Sequence, residues 1–231
     1  MKKSLYSIAL DLRKWGFGMY DIIIIGAGGF GREVYHWAKE SFPSKKFKIN
    51  GFLSNNANDL DDFDFNVGIL GDENSYKIKK QDRFLIAIGD IGIKKKVVAK
   101  LKKKGAQFLT LIHPTAIVSK TAKIGQGVII CPFVIVSDHV VLDDFVLLNL
   151  YSSCGHDAKV GKYCVLSPYA TLNGFVILED EVFLGTHSTV TPKRKIGYRS
   201  KISANSVAMH DVPAYSFVFG VPGKHKVIFK E

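Results

Sequence analysis

His156 and Asp157 stand side by side in the stretch Ser153-Cys154-Gly155-His156-Asp157, and an imidazole next to a carboxylate is a pairing suited to general base catalysis. A second feature lies far upstream, where Gly26-Ala27-Gly28-Gly29-Phe30-Gly31 follows an apolar run and precedes a helix-like stretch. Glycines in that context let backbone amides approach an anion at a helix N-terminus, so the turn is a candidate phosphate cradle. The two features sit in stretches with different patterning, and each needs its own scaffold.

The scaffold of His156 is visible as a period. From Ile112 to Ala208 an aliphatic or small residue recurs at every sixth position without insertion, through Val136, Leu148, Cys154, Leu166, Leu184 and Ile202 among others. Four residues after most of these anchors comes a second small or β-branched residue, such as Ala116, Val134, Ala158, Ala170 or Val182. This spacing predicts a parallel β-helix in which each hexad is one short strand and three hexads close a triangular coil. Glycine often follows the anchor, as at Gly125, Gly161, Gly185 and Gly197, and is expected at corners that need positive φ or close backbone approach. Exposed strand edges on so short a prism predict a self-associated oligomer.

In this register His156, two places after Cys154, points outward, and residues one coil apart stack. Gly174 stacks on one side of it, leaving room beside the ring and exposing a backbone N–H. Asp138 stacks on the other side, beside His139, which itself stacks on Asp157. An imidazole flanked by two carboxylates and an empty slot reads as a poised base. His187 has two open readings, as a residue lining a groove or as an exposed structural histidine. His139, His156 and His187 do not converge in this register, and Cys131, Cys154 and Cys164 lack ligand spacing, so no metal is expected. Cys154 and Cys164 fall on inward phases and read as core thiols, with no disulfide framework.

The first half reads as strands at Tyr20 to Ile25, Phe47 to Leu53, Arg83 to Ile88 and Gln107 to Leu111, with helices at Arg32 to Lys39 and Ile93 to Lys103. That is a small Rossmann-like α/β domain with a parallel sheet, assigned to 19–110. A nicotinamide dinucleotide fold predicts an acid at the end of the second strand to hold the ribose, and here stand Ser54 and Asn55. With the domain also short, no nicotinamide cofactor is expected. The β-helix is assigned to 111–212, a tail to 213–231 and an extension to 1–18, whose Leu5, Ile8, Leu12 and Trp15 have the spacing of a weak amphipathic helix.

The 231 residues carry a formal charge of +11, but the lysines gather in runs such as Lys94, Lys95, Lys96, Lys100 and Lys102 to Lys104, which read as a solvated helix face. With no nucleic-acid module in view, phosphorylated small molecules are the expected partners, and nucleic acid is not. No apolar run reaches the length of a membrane span, and Asp11, Arg13 and Lys14 stand where a signal peptide needs an apolar core. The expected address is cytoplasmic, with no membrane partner.

From Tyr20 to the C-terminus the chain resembles bacterial sugar acyltransferases of the left-handed β-helix class, including the nucleotide-amino-sugar N-acetyltransferases of bacillosamine type and the sialic-acid O-acetyltransferases. The resemblance is carried by the Gly26–Gly31 turn, Ile86-Ala87-Ile88-Gly89, Leu111-Ile112-His113-Pro114, the segment from Asn149 through His156-Asp157 to Val160-Gly161, and Gly220-Val221-Pro222-Gly223-Lys224. Met19 matches the family's usual start. The resemblance implies a left-handed coil and a homotrimer that binds a nucleotide-sugar on the first domain and acetyl-CoA as co-substrate between neighbouring prisms. It implies that His156 is the base, that Asp157 orients it, and that the amide of Gly174 meets the acyl carbonyl. It further implies substrate contacts at Gly26, Ala27, Gly28, Gly29, Phe30, Gly31, Ser54, Asn55, Gly89, Asp90 and Asn149, and acetyl-CoA contacts at Val165, Gly174, Thr186, His187, Ala204 and Lys224. Two positions depart from the pattern: Val165 stands where many relatives have a histidine thought to contact acetyl-CoA, and Phe30 where a histidine is common. The expected activity is acetyl-CoA-dependent N-acetylation of a nucleotide-linked amino-sugar, the alternatives being sugar O-acetylation or a non-catalytic nucleotide-sugar-binding trimer.

Overall fold

The computed structural model describes residues 18–228, in two compact units that meet in sequence between Pro114 and Thr115. The stretch holding Leu5, Ile8, Leu12 and Trp15 lies outside the described residues.

In the first unit, β1 (Tyr20–Ile25), β2 (Phe47–Leu53) and β3 (Asp82–Ile86) form a parallel sheet in the order β2-β1-β3. The central strand carries Ile22 to Ile25 without alternation and all four are buried, as a parallel strand covered on both faces requires. Helix α1 (Gly29–Ser41) begins three residues before the expected Arg32, because the glycine segment itself forms its first turn, with Gly28 as the extended cap residue. Helix α2 (Ile91–Lys103) likewise begins early, since the Asp90 carboxylate accepts from the Ile93 N–H at 2.7 Å and caps it. The fourth strand expected over 107–111 reduces to a bridge between Phe84 and Phe108, followed by β4 (Leu111–Ile112), because only Phe84 pairs with that segment in strand fashion.

The lysine run of α2 is not wholly a solvated face. Lys94 is buried, since it shares the inward stripe of Val97, Val98 and Leu101. Lys100 and Lys104 reach across to the 73–76 loop, with Lys100 Nζ 3.0 Å from Glu73 Oε1 and Lys104 Nζ donating to the Glu73 carbonyl at 2.9 Å.

Gly31 faces the carbonyl of Gly26 so closely that an added Cβ would overlap it. Gly31→Ala is therefore expected to destabilise the chain by about 1–3 kcal/mol, the usual cost of overpacking, measured as a lower denaturation midpoint. An unchanged midpoint would mean that the turn and α1 part without cost.

The second unit is a parallel β-helix whose two-residue strands run from β5 (Ile117–Val118) to β20 (Val207–Ala208) on three flat faces. Each strand pairs in register with the one a coil away, as in Ser153 with Thr171 and Cys154 with Leu172. Cys154, Leu166, Leu184, Ile196 and Ile202 are fully buried, so the hexad anchors line the interior. Burial alone pushes the Cys154 thiol up to about 12, which makes it an inert core residue.

The corners differ from expectation in one respect. The glycines after the anchors are not in the left-handed region. A Cβ at Gly155 would lie 2.7 Å from the Asn173 carbonyl carbon, and one at Gly161 would lie 2.7 Å from the Asp180 nitrogen, so close approach between coils is what requires glycine there. Positive φ falls two residues later, on side chains such as His139, Tyr151, Asp157, Phe175 and His187. In compensation their amides bond to the preceding coil: Asp157 N–H donates to Asp138 O and Phe175 N–H to His156 O, each at 2.9 Å.

Candidate active site

The hexad that starts after Cys154 places Gly155 against the next coil, turns His156 outward and puts Asp157 on the left-handed corner with φ 60°. That sharp turn folds the carboxylate back on its neighbour: His156 Nδ1 lies 2.9 Å from Asp157 Oδ2. A carboxylate only accepts, so a neutral imidazole here donates from Nδ1 and keeps its lone pair on Nε2. Nε2 faces Gly174, where an added Cβ would stand 2.6 Å from it. The stacking of Gly174 on His156 is thus as the eighteen-residue register predicts.

The Gly174 amide, like the equivalent one of His156, has no protein acceptor among the described residues. On the next edge, the N–H groups of Gln126 and Lys162 are taken by the carboxylates of Asp144 and Asp180 one coil on. One coil beyond Gly174 is Pro192, which carries no side-chain acceptor. An open amide donor therefore sits beside an imidazole lone pair.

The second carboxylate expected at His156 is engaged elsewhere. Asp138 accepts from the Thr121 and Ser119 hydroxyls of the preceding coil and lies 3.5 Å from His139 Nε2. The Thr121 hydroxyl, above all, holds its carboxyl below the usual carboxylate range. His156 therefore has one orienting carboxylate, Asp157, because the left-handed corner turns that side chain back while the Asp138 carboxylate reaches to Thr121 and Ser119 on the preceding coil.

The remaining β-helix residues gather on a different edge. Asn149, Thr186, His187 and Ala204 all belong to the turns one hexad away from those of His156 and Gly174. His187 caps an aromatic ladder there: Phe133 on Tyr151, Tyr151 on Tyr169 and Tyr169 on His187 stack with centroids 4.9, 4.9 and 4.6 Å apart. Asn149 Oδ1 accepts from the Leu150 N–H at 2.8 Å. Val165 corrects one expectation, for it is 4 % exposed within the strand Val165–Leu166 and so offers the chain no ligand-facing surface. Lys224 is exposed at the start of the C-terminal strand Lys224–Val227.

In the first unit the glycine turn divides by role. Gly26 has φ +100° and a Cβ there would meet the Ala87 carbonyl at 2.8 Å, while Gly31 packs on the turn, so both shape the backbone. Gly28 and Gly29 have only open space or the tip of Arg32 near them, so they are the glycines that leave room for an anion at the start of α1. Ser54 is tied to Asp59 through its hydroxyl and to Gly71 through its amide, and Asn55 follows it on the exposed loop. Asp90 is committed as a helix cap by one oxygen, next to the open Gly89.

Comparisons with known proteins support the fold. Residues 21–101 match the family described as PglD N-terminal domain. UDP-N-acetylbacillosamine N-acetyltransferase from Bacillus subtilis is 49% identical over 47 residues, 20% of this chain and 22% of that protein, so the match spans about a fifth of the curated relative. The acetyltransferase domain of PglB from Neisseria gonorrhoeae FA1090, solved in complex with acetyl coenzyme A, aligns with TM-score 0.80 at 27% identity over 90% of this chain and 99% of that one. Over most of its length the chain is similar in fold and sequence to acetyltransferases built on a β-helix. PerB from Caulobacter crescentus, solved in complex with CoA and GDP-perosamine, aligns with TM-score 0.80 at 26% identity over 92% and 100% of the two chains.

Two residues beside these sites escaped the sequence reading. Arg32 places its guanidinium 3.8 Å from the centroid of the Phe63 ring, with a terminal nitrogen beside Gly29. Phe175 sets its ring perpendicular to the His156 imidazole, centroids 5.1 Å apart. Neither has a sequence signal, since Phe63 is 31 residues beyond Arg32 and Phe175 is a corner residue like thirteen other non-glycine corners.

Proposed function

We propose that the chain transfers the acetyl group of acetyl-CoA directly to the amino group of a nucleotide-linked sugar, with His156 as general base. The carrying observation is the imidazole held at Nδ1 by Asp157 while Nε2 faces Gly174. The amine nitrogen attacks the thioester carbonyl, the C–N bond forms, and Nε2 takes the amine proton. The open Gly174 N–H donates to the oxyanion. When the C–S bond breaks, the imidazolium returns its proton to the CoA sulfur, and the products are the amide and the free thiol. Asp157 holds the ring and offsets the charge it acquires.

The relatives support this reading by what they are named for and hold: one is named an N-acetyltransferase, one is an acetyltransferase domain solved with acetyl coenzyme A, and one was solved with CoA and GDP-perosamine. The nucleotide diphosphate is assigned to Gly28, Gly29 and the first turn of α1. We propose a homotrimer, because the residues expected at acetyl-CoA fall on two edges of one prism and a neighbouring copy would bring them to one groove. Exposed apolar side chains on one face and its corner, Ile117, Ile135, Phe133, Tyr151 and Tyr169, favour such burial. We place the protein in the cytoplasm as a soluble enzyme. Among the described residues no helix is long and apolar enough to cross a membrane.

A thiol-release assay with acetyl-CoA against UDP-, GDP- and dTDP-linked amino-sugars tests the activity. Release of CoA thiol with none of the amino-sugars, alongside tight nucleotide-sugar binding, would make the chain a binding module instead.

Gly28→Val separates the two ligands. Gly28 has an ordinary φ of −68° and open space around it, so the fold accepts the side chain, which then stands where a diphosphate would approach. Nucleotide-sugar affinity is expected to fall about tenfold or more, or roughly 1.4 kcal/mol, with acetyl-CoA binding unchanged by calorimetry. Equal loss of both ligands would move the nucleotide-sugar away from this turn.

A further inference from the structure

We infer that Phe175 is a positioning residue whose ring keeps the His156 imidazole turned with Nε2 toward the Gly174 slot. The inference rests on the reading of His156 as the base. His156 and Asp157 are both substantially exposed, 59% and 40% by side chain, so their single hydrogen bond competes with water and leaves other ring orientations close in energy. Something else must narrow them. Phe175 follows Gly174 on the next coil, and its N–H donates to the His156 carbonyl at 2.9 Å, which ties the two backbones together. The rings meet at 90° with centroids 5.1 Å apart, an edge-to-face contact that a rotated imidazole would lose.

The contact is specific to this pair rather than a habit of the corners. On the neighbouring edge, corner aromatics lie flat on one another, Phe133 on Tyr151 at 13° and Tyr151 on Tyr169 at 3°. Phe175 has Asp157 and Lys193 as its equivalents one coil away on either side, neither of them aromatic, and its ring turns sideways to His156 instead. His156 is thus bounded by Asp157 at Nδ1, Phe175 at its ring and the bare Gly174 at Nε2.

The test compares Phe175→Ala, Phe175→Leu and Phe175→Tyr with the parent, each checked for oligomer by light scattering. Phe175→Ala is expected to lower kcat roughly tenfold to a hundredfold, the scale of a misplaced reacting group, with KM for acetyl-CoA and nucleotide-sugar within about twofold. Phe175→Tyr, which keeps the ring, is expected to restore most of the loss, and Phe175→Leu, which keeps bulk without a flat ring, to restore little. A parent-like kcat in Phe175→Ala, a raised KM for acetyl-CoA at unchanged kcat, or full rescue by leucine would overturn the inference. His156→Ala and the double variant separate this outcome from the underlying reading. If Phe175 acts through His156, the double variant is no slower than His156→Ala, and an additional loss argues for an independent role. A parent-like His156→Ala removes the base reading, and this inference with it.

Discussion

Replacing His156 by alanine is expected to lower kcat by a factor on the order of 10² to 10⁴, the range typical of losing a general base, while the folded oligomer survives. The imidazole contributes little to folding, since its side chain is largely exposed and its bonding partner Asp157 is anchored independently by its amide on Asp138 O. Thermal denaturation should therefore be nearly unchanged. KM for both substrates should move little, because Nε2 meets the amine only as its proton leaves. Asp157→Asn is expected to give a smaller loss: the amide still reaches Nδ1 but no longer offsets the imidazolium charge, and it can present its NH₂ and favour the wrong tautomer. Near-parent turnover in purified His156→Ala would remove this residue from the chemistry.

Gly174→Leu is expected to abolish use of acetyl-CoA. Gly174 is outside the left-handed region, so backbone strain is not the cause. A Cβ there would stand 2.6 Å from His156 Nε2 and 2.7 Å from Cε1, so the first added carbon already drives the imidazole out of its position. The larger side chain then fills the space assigned to the thioester and covers the open amide. Gly174→Ala should therefore lose activity too, by about tenfold or more, since losing one oxyanion donor or misplacing the base by an ångström costs that much. Nucleotide-sugar affinity should remain within about twofold and the oligomer intact, because the position points outward from the buried anchors and the diphosphate is assigned to the other unit. A leucine variant that binds and uses acetyl-CoA like the parent would refute the acyl slot at this position.

His156, Asp157 and Gly174 were legible as a group because a β-helix converts sequence separation into distance: a coil closes in a fixed number of residues, so eighteen apart means adjacent. The same arithmetic misjudged Asp138. Backbone register placed it one coil from His156, as expected, but a short side chain chooses among neighbours, and its carboxylate takes the hydroxyl of Thr121, which stands on the preceding coil in the column of His139. Val165 was named only through the resemblance, and its 4 % exposure is a packing outcome that the period does not report.

The order of elements, the parallel sheet around β1 and the hexad interior were determined by the sequence itself, since they follow from periodicity and from where apolar residues must be buried. So was the choice of glycine at Gly155 and Gly161, though the reason is coil contact rather than positive φ. Tertiary structure alone decided the orientation of side chains within that frame. It turned Phe175 onto His156, laid Arg32 over Phe63, buried Lys94, used one oxygen of Asp90 to cap α2, and left the Gly174 amide open above Pro192. These arrangements depend on rotamers and on partners that no local pattern specifies, for a period dictates which way a residue faces and not which of its neighbours it will meet.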